Sequence, residues 1–335
     1  MNYFYCSLLG VFLLALSSVT QSLEYKQICG NLSDAEVETQ PAVLLSGGAD
    51  SSSTDEKLAT EWLLNHANGG DYLVLRSNGL GGQAKWVCRN YSEHISSASE
   101  VSIDSLDDAE HPAVLQLIKK VEIIWIAGGD QKRYEKFWKG TALARVINKH
   151  IHTKPIGGTS AGMAILGGAY YAPRDKALIG SQLLDNAFHH RGEDVFIDDL
   201  IYHPLLKDTL NETHLDRLIK GEDRSSRAFG FLAQLTKSVQ NPMVIALNEG
   251  SFLGIDQYGK GQVWGNGGYI LQTTSQPETL KEGQPLLWHQ QGKAVTAYEL
   301  NKSQVHAKLD FKARRFEGLK QTYWFTTGGA EGFVK

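Results

Sequence analysis

The fold is decided by the stretch Pro155-Ile-Gly-Gly-Thr-Ser-Ala-Gly-Met-Ala-Ile-Leu-Gly167, in which a G-x-S-x-G motif separates a short strand from an apolar helix. Such a strained turn lifts a serine hydroxyl clear of the backbone, and the flanking glycines avoid clashes of Cβ atoms. It also aims the next amide at a developing oxyanion. We therefore interpret Ser160 as a nucleophile and Ala161 as an oxyanion donor. The alternative is a glycine-rich turn that only packs a helix.

Strand-like and helical segments alternate before this turn. Apolar runs predict strands at residues 42–45, 72–75, 101–103 and 122–127. Apolar residues at helical spacing predict helices at residues 55–66, 114–120 and 134–148. Crossover helices between apolar strands are typical of a parallel sheet covered on both faces. The first half of the chain therefore predicts a doubly wound, mostly parallel α/β sheet.

The second half of the chain follows a different pattern. Residues 174–235 are polar and loop-rich, which predicts an excursion at the edge of the sheet. Short strands are predicted at residues 242–247, 251–255, 262–264 and 269–271. We expect the first two to form a hairpin and the last two to pair antiparallel. Since no linker-like run divides the chain, we expect one α/β domain at residues 23–275 and a β-rich extension at 276–335 packed on it.

Composition and charge exclude several classes of protein. The 335 residues include 33 Lys and Arg against 37 Asp and Glu, which gives a formal net charge of −4. A nucleic-acid partner requires a basic excess to neutralise phosphates, and the chain has none. The 34 Gly and 8 Pro follow no fixed period, which argues against collagen and repeat arrays.

The first 22 residues have the pattern of a secretory signal peptide. They carry no charged side chain, and an apolar core at residues 8–16 is followed by small and polar residues. The alternative is an uncleaved membrane anchor, but a span needs about 20 apolar residues. We expect a secreted or periplasmic protein without membrane contact after cleavage. Cleavage removes Cys6, so Cys29 and Cys88 either form a disulfide or remain two buried thiols.

A second sharp turn, Gly128-Gly129-Asp130-Gln131, follows the strand that precedes the serine turn in the chain. The carboxyl ends of parallel strands meet at one edge of a sheet, where doubly wound folds bind ligands. We expect Gly129 to donate a second hydrogen bond to the oxyanion and Gln131 to offer its amide to a substrate. The alternative is a turn that only connects a strand to a helix.

A serine nucleophile requires a general base, which is usually a histidine. The chain has 11 histidines. Their spacing alone does not choose His214 over His189, His190 or His203. No histidine pair has a carboxylate or a further histidine at ligand spacing, so the sequence predicts no metal site.

Several motifs occur together and in a fixed order along the chain. They are Ile124-Trp-Ile-Ala-Gly-Gly-Asp-Gln131, Gly157-Gly-Thr-Ser-Ala-Gly162, Pro204-Leu-Leu-Lys-Asp-Thr-Leu-Asn-Glu-Thr-His-Leu215, Asp223-Arg-Ser-Ser-Arg227 and Gly230-Phe-Leu-Ala233. This set resembles the cyanophycinase family, which belongs with the aspartyl dipeptidases to the S51 serine peptidases. The resemblance extends over about 230 residues, from 42 to 271. It implies the class I glutamine amidotransferase-like α/β fold.

The resemblance implies a role for each matching residue. Ser160 would be the nucleophile, His214 the general base, and Glu249 the carboxylate that orients the histidine and stabilises its imidazolium. For Glu249 the alternative is a surface acid at the end of a strand. The positions that line the family's substrate pocket correspond to Asp130, Gln131, Glu212, Arg224 and Arg227. Arginine suits such a pocket because its planar fork matches a carboxylate.

Three departures from the family pattern lie near the pocket. An insertion of about four residues falls within 215–222, Glu212 stands where Asp is usual, and Leu215 stands where Phe is usual. The insertion separates the histidine from the first pocket arginine, so that contact is either lost or made by Arg217. All three departures alter the pocket and leave Ser160 and His214 in place.

The resemblance implies a secreted serine exopeptidase that needs no metal or organic cofactor. Its substrate would be cyanophycin, a poly-aspartate with arginine in isopeptide linkage, cleaved to β-aspartyl-arginine. Because the pocket is altered, a related peptidase acting on short α-aspartyl or other dipeptides is the alternative. A non-catalytic binding protein of the same fold is a third reading, against which the intact Ser160 and His214 argue. The expected partners are a peptide or poly-aspartate substrate and, as is common in this family, a second copy in a homodimer.

Overall fold

Two large β-sheets form the framework of the protein in the computed structural model, which describes residues 23–32, 37–48, 53–192, 194–304 and 306–335. The predicted signal peptide at residues 1–22 lies outside the described residues. Within the described parts of the chain, none of the helices has both the length and the hydropathy that a bilayer span requires.

The chain contributes strands to the two sheets in successive groups. In chain order they are β1 (Tyr25–Gly30), β2 (Ala42–Ser46), β3 (Gly69–Arg76), β4 (Ile95–Ser102), β5 (Ile123–Ile126), β6 (Ile156–Thr159), β7 (Ala169–Tyr171), β8 (Val195–Ile197), β9 (Thr209–Glu212), β10 (Met243–Leu247), β11 (Ser251–Asp256), β12 (Lys260–Gly265), β13 (Gly268–Gln272), β14 (Val295–Leu300), β15 (Lys308–Asp310), β16 (Arg315–Glu317), β17 (Lys320–Thr326) and β18 (Phe333–Val334). The first sheet has the order β1-β4-β3-β5-β6-β2-β11-β12-β15-β16. The second sheet has the order β18-β17-β14-β13-β10-β9-β7-β8.

Helices connect the strands, most of them in the first half of the chain. The α-helices are α1 (Thr54–Asn65), α2 (Gln83–Tyr91), α3 (Leu106–Glu110), α4 (Pro112–Lys120), α5 (Gln131–Trp138), α6 (Ala142–His150), α7 (Ala161–Ala164), α8 (Gly180–Asp185) and α9 (Ser225–Leu235). Short 3-10 helices lie at Ser92–His94, His190–Gly192, Pro204–Leu206 and Gln290–Gly292. The helices predicted at residues 55–66 and 114–120 are confirmed as α1 and α4.

The centre of the first sheet is parallel, and its strands run in the order β4-β3-β5-β6-β2. Both faces of β2 and β5 are buried, which explains their continuous apolar runs. In β2, Val43 and Leu45 pack with residues of α3 to α6, whereas Leu44 packs with residues of α1 and α2. Antiparallel neighbours flank this centre, β1 beside β4 and β11 beside β2. The structure therefore has the mixed α/β class that the sequence predicts.

The prediction of a hairpin between residues 242–247 and 251–255 is wrong. β10 pairs with β9 and β13 in the second sheet, whereas β11 pairs antiparallel with β2 and β12 in the first. The turn at residues 248–250 therefore crosses from one sheet to the other. A hairpin would require the two strands to share a ladder, but each already has two neighbours in its own sheet.

The expected pairing between residues 262–264 and 269–271 is wrong for the same reason. β12 lies against β11 in the first sheet, and β13 lies between β10 and β14 in the second. The crossing at residues 265–267 uses Gly265 (φ +84°) and Gly267 (φ +81°), a backbone region that favours glycine. The two crossings place the ends of four strands close together.

The expectation of a polar excursion at a sheet edge for residues 174–235 is also wrong. β9 lies inside the second sheet, parallel to β10 and β7, and all four of its residues are buried. Helix α9 buries nine of its residues, among them Phe229 and Phe231. The polar composition gave the wrong prediction because polar groups can be buried when they have partners within the chain, as Arg227 has in Glu212.

The helix expected over residues 134–148 is two helices, α5 and α6. Gly140, with φ +74°, ends the turn after α5, and Thr141 begins α6 by accepting a hydrogen bond at Oγ1 from the Ala144 amide at 3.4 Å. The apolar stripe continues through both helices because both pack on the same face of the first sheet.

The strands after residue 290 join both sheets. β14, β17 and β18 extend the second sheet, and β15 and β16 form one edge of the first. The last residue, Lys335, makes an ion pair with Asp223 and a hydrogen bond with Ser225 at the start of α9.

A disulfide joins the edge strand β1 of the first sheet to helix α2. Cys29 in β1 is bonded to Cys88 in α2, and 59 positions separate them in sequence. Of the two alternatives left open by the sequence, the structure has the disulfide. Closing so long a loop in the unfolded chain reduces its conformational entropy, which stabilises the fold.

Replacing both cysteines, Cys29→Ser with Cys88→Ser, should lower the free energy of unfolding by about 2–4 kcal/mol. Urea denaturation followed by circular dichroism measures the change, and the wild-type protein with and without reductant is the control. An unchanged denaturation midpoint would show that this crosslink contributes nothing to stability.

Candidate active site

Ser160 lies at the tight turn between β6 and α7. Its backbone has φ +51° and ψ −116°, a sparsely populated conformation for a residue with a side chain. The neighbouring backbone must come close, because a Cβ on Gly158 would lie 2.6 Å from the Gly162 carbonyl carbon, and one on Gly162 would lie 2.1 Å from the Ile126 oxygen. Both glycines of the G-x-S-x-G motif are therefore required by packing, and together they hold Ser160 in its strained turn.

His214 reaches Ser160 from the second sheet. It follows β9, has φ +49°, and its amide donates to the Gly47 carbonyl at 2.8 Å, beyond the end of β2. A Cβ on Gly48 would lie 2.4 Å from the His214 Cε1 atom, so the imidazole lies directly on this glycine. Sequence reasoning missed Gly48, although the Gly47-Gly48 pair after a predicted strand was a usable signal.

The structure brings Ser160, His214 and Glu249 into one hydrogen-bonded chain. Ser160 Oγ lies 2.7 Å from His214 Nε2, and His214 Nδ1 lies 2.6 Å from Glu249 Oε1. A neutral imidazole with its proton on Nδ1 satisfies both contacts, because it donates to the carboxylate and accepts from the hydroxyl. The geometry is that of a nucleophile, a base and an orienting acid.

The electrostatic surroundings of His214 favour its neutral form. Burial lowers the pKa of the imidazole below its ordinary value, and the positive charges of Arg224 and Arg217 act in the same direction. The hydrogen bond and charge of Glu249 oppose this by raising the pKa. A neutral His214 near pH 7 is able to accept the proton of Ser160.

The other candidate bases have different surroundings. His189 and His190 stack on each other with ring centroids 4.3 Å apart. His203 is buried, and its Nδ1 accepts a hydrogen bond from the Leu205 amide at 3.3 Å. Among the histidines that the sequence left open, His214 is therefore the one that meets Ser160.

The second glycine turn lies beside Ser160. A Cβ on Gly128 would stand 3.4 Å from Ser160 Cβ and 3.9 Å from its Oγ, which is ordinary van der Waals contact and shows how near this turn lies to the serine. Gly129 follows with φ +154°, and a Cβ on it would meet no atom within 4 Å. Ala161 is the first residue of α7, immediately after Ser160. Their roles as oxyanion donors remain predictions.

The residues predicted for the substrate pocket have three kinds of environment. Asp130 is exposed and caps α5, since its Oδ1 accepts from the Lys132 amide at 3.0 Å. Gln131 is the first residue of that helix and is half-buried. Glu212 and Arg227 are buried and bind each other through two hydrogen bonds, at 3.0 and 2.5 Å. This bidentate ion pair fixes the side chain of Glu212, which stands two residues before His214 in the chain.

Arg224 lies beside this ion pair, and its charge also acts on the histidine. Its Nη1 donates to the Thr213 carbonyl at 2.8 Å and lies 3.6 Å from Glu212 Oε1. Its Nε is buried and has no hydrogen-bond partner among the described residues. The side chain as a whole is 15% exposed, and a guanidinium beside the histidine suits a carboxylate.

The chain matches a known peptidase family in its first half. Residues 42–182 match the model of peptidase family S51. This confirms the resemblance to peptidase family S51 over the segment that holds the first two motifs, and the finer resemblance to the cyanophycinases stays a prediction. The matched segment contains Ser160, whereas His214 and Glu249 lie beyond its end. A family of peptidases supports a peptidase, and hence a hydrolase, for this chain. No curated protein sequence matches the chain significantly.

Solved structures add information on the fold. A peptidase from an acI-B1 Actinobacterium is similar with a TM-score of 0.50 and 15% identity, over 74% of this chain and 93% of that one. A protein provisionally named peptidase E from Listeria monocytogenes EGD-e has a TM-score of 0.40 and 12% identity, over 68% of this chain and 100% of that one. At 15% identity the first likeness concerns the fold alone, and the second is too distant to add to it.

The buried His203 predicts a pH dependence of stability. Burial lowers its pKa to about 4, whereas an unfolded histidine titrates near 6.5. As the pH falls from 7 to 5, the unfolded chain binds a proton that folded His203 does not, so stability is lost in that window. His203→Gln should remove about 2 kcal/mol of this loss.

Urea denaturation at pH 7 and pH 5 measures that difference. His150, whose pKa burial lowers to about 3, contributes in the same direction to both proteins and leaves the comparison intact. If the variant loses as much stability as the wild type between the two pH values, His203 is not held neutral in the fold.

Proposed function

We propose that this chain is a secreted serine exopeptidase that hydrolyses cyanophycin or β-aspartyl peptides. The observation that carries the proposal is the hydrogen-bonded chain from Ser160 Oγ through His214 to Glu249. The match to peptidase family S51 supports the reaction class. The substrate follows from the family resemblance and from the arginine beside the base.

The first half of the proposed reaction forms an acyl-enzyme. Ser160 Oγ attacks the scissile carbonyl carbon while His214 Nε2 takes its proton, and Glu249 stabilises the imidazolium that results. The amides of Ala161 and Gly129 would donate to the oxyanion. The carbon–nitrogen bond then breaks, and His214 delivers its proton to the leaving amine.

The second half hydrolyses the ester. Water gives a proton to His214 Nε2 and its oxygen attacks the acyl carbon, after which the bond to Ser160 Oγ breaks and the serine recovers its proton from the histidine. The lowered pKa of His214 suits both halves, because the imidazole must be neutral at the start of each.

Arg224 is the residue we assign to the substrate carboxylate. Its guanidinium lies beside Thr213 and is partly exposed, and its positive charge acts on His214. Glu212 would support the pocket indirectly. Both of its oxygens bind Arg227, so the two opposite charges neutralise each other. Asp130 and Gln131 would line the opposite side of the pocket, at the start of α5.

A related peptidase that cleaves α-aspartyl or other dipeptides is the second candidate. The inserted residues form a small hairpin in which Ile219 and Glu222 pair, with Lys220 (φ +53°) and Gly221 (φ +84°) at its tip. This hairpin follows closely after His214 and brings the charge of Arg217 near the imidazole. A hairpin at this place would leave less room for a branched polymer, which would favour a shorter substrate.

Several further features belong to the proposal. Residues 1–22 would be removed on secretion, leaving a peptidase domain at 23–275 with its extension at 276–335. The sheet with helices on both faces would be the doubly wound, class I glutamine amidotransferase-like type. A homodimer is the oligomeric state that the resemblance favours. A binding protein without activity is the least supported reading because Ser160 and His214 are hydrogen-bonded.

Ser160→Ala and His214→Ala should each lower hydrolysis at least about 1,000-fold, because a serine peptidase loses its nucleophile or its base. Product release from cyanophycin, β-aspartyl-arginine and a panel of α-aspartyl peptides measures this and selects between the two candidate substrates. His203→Gln is the matched control and should keep its activity. Full activity in the Ser160 variant, or no product from any substrate with the wild type, would end the proposal.

Arg224→Lys should raise KM about tenfold while kcat changes less than about threefold, because the lysine retains the charge but loses the planar fork that matches a carboxylate. Steady-state kinetics on the preferred aspartyl substrate measure both constants. Arg145→Lys, on the exposed side of α6, is the control for the exchange itself. An unchanged KM would remove Arg224 from substrate binding.

A further inference from the structure

The acid of the hydrogen-bonded chain lies on a turn with little packing around it. Glu249 is in the crossing at residues 248–250, between β10 of the second sheet and β11 of the first. Its side chain is 50% exposed, so surrounding side chains do not hold it in place. A half-exposed carboxylate that must meet His214 Nδ1 needs its backbone fixed instead.

Asp216 fixes that backbone from the side of the histidine. Its Oδ1 accepts a hydrogen bond from the Glu249 amide at 2.9 Å. Leu215, which stands between His214 and Asp216 in the chain, donates its amide to the Leu247 carbonyl at 3.0 Å. Three successive residues, beginning with His214, therefore hold the segment that carries the acid. One short stretch of chain, residues 214–216, thus positions the base and the acid relative to each other.

Asn266 completes the attachment from the second crossing. Its Nδ2 donates to the Glu249 carbonyl at 3.0 Å, so side chains hold both backbone polar groups of Glu249. The next amide, of Gly250, donates to the Gly48 carbonyl at 2.8 Å. A turn that passes between two sheets belongs to neither ladder, which is why side chains supply the contacts that a strand neighbour would otherwise make.

We propose that Asp216 is a positioning residue that holds Glu249 in hydrogen-bonding distance of His214, with Asn266 as its counterpart. Asp216 touches no reacting atom and acts through the Glu249 backbone. The contact needs only an oxygen acceptor, so a neutral amide in its place preserves the arrangement. This inference rests on the proposed function, because it assigns a role within the same site.

The reactivity of Ser160 can be measured without knowing the natural substrate. In a fluorophosphonate reaction, Ser160 Oγ bonds to phosphorus, the phosphorus–fluorine bond breaks, fluoride leaves, and His214 takes the serine proton. The maximal rate of labelling reports how well the base is oriented, and the half-saturating concentration reports binding of the probe. Mass spectrometry of the labelled full chain identifies the modified residue.

Asp216→Ala should lower the maximal labelling rate about tenfold or more while the half-saturating concentration stays within about twofold, because small misplacements of catalytic groups are costly. Asp216→Asn should retain the rate within about threefold, since its carbonyl oxygen still accepts from the Glu249 amide. Asp256→Ala is the matched control. Asp256 likewise accepts hydrogen bonds from backbone amides in a turn, those of Tyr258 and Lys260, but it lies at the far end of β11.

A double-mutant cycle tests whether Asp216 acts through Glu249. In a Glu249→Ala background, Asp216→Ala should change the labelling rate less than about twofold, because the group that it positions is absent. Equal tenfold losses in both backgrounds, or an Asp216→Ala rate equal to wild type, would overturn the inference. A wild-type protein that is not labelled at Ser160 would overturn the proposed function itself, so the two failures are distinguishable.

Discussion

The hydrogen bond between Ser160 and His214 depends on how the two sheets meet. Ser160 follows a strand of the first sheet and His214 follows a strand of the second, and the 2.7 Å contact joins them. Two glycines and one turn allow the backbone segments around this contact to come together. Gly48 leaves room for the imidazole, Gly162 lets α7 pack on the end of β5, and the crossing at 248–250 carries the acid between the sheets. The site is therefore a property of the interface between two sheets.

The part of the fold with local sequence signals could be predicted. The apolar strands of the first sheet, the helices between them and the turn around Ser160 each have a signature within about ten residues. The pairing of β10 and β11 could not be predicted, because strands that are adjacent in sequence usually pair, and only the long-range contact of β11 with β2 overrides that tendency. Spacing did not select His214 either, and the family resemblance was needed to choose it.

Contacts made by single polar atoms escape sequence reasoning for a related physical reason. Glu212 was expected in a pocket because of its place in a motif, yet the structure buries it against Arg227. Removing one partner of such a buried pair leaves an uncompensated charge, which costs about 3–5 kcal/mol. The same polar composition made residues 174–235 look solvent-exposed. Composition reports how polar a segment is, and only the fold reports whether its polar groups satisfy one another.

The two crossings between sheets also determine when the site comes into existence. Ser160 is synthesised early, but its base follows 54 residues later, and the strand that seats the acid beside β2 comes after that. A chain that has emerged only as far as α7 contains the serine in its turn without a proton acceptor. Assembly of the second sheet is thus required before the Ser160–His214 hydrogen bond can form, so an incomplete chain lacks the hydrogen-bonded site.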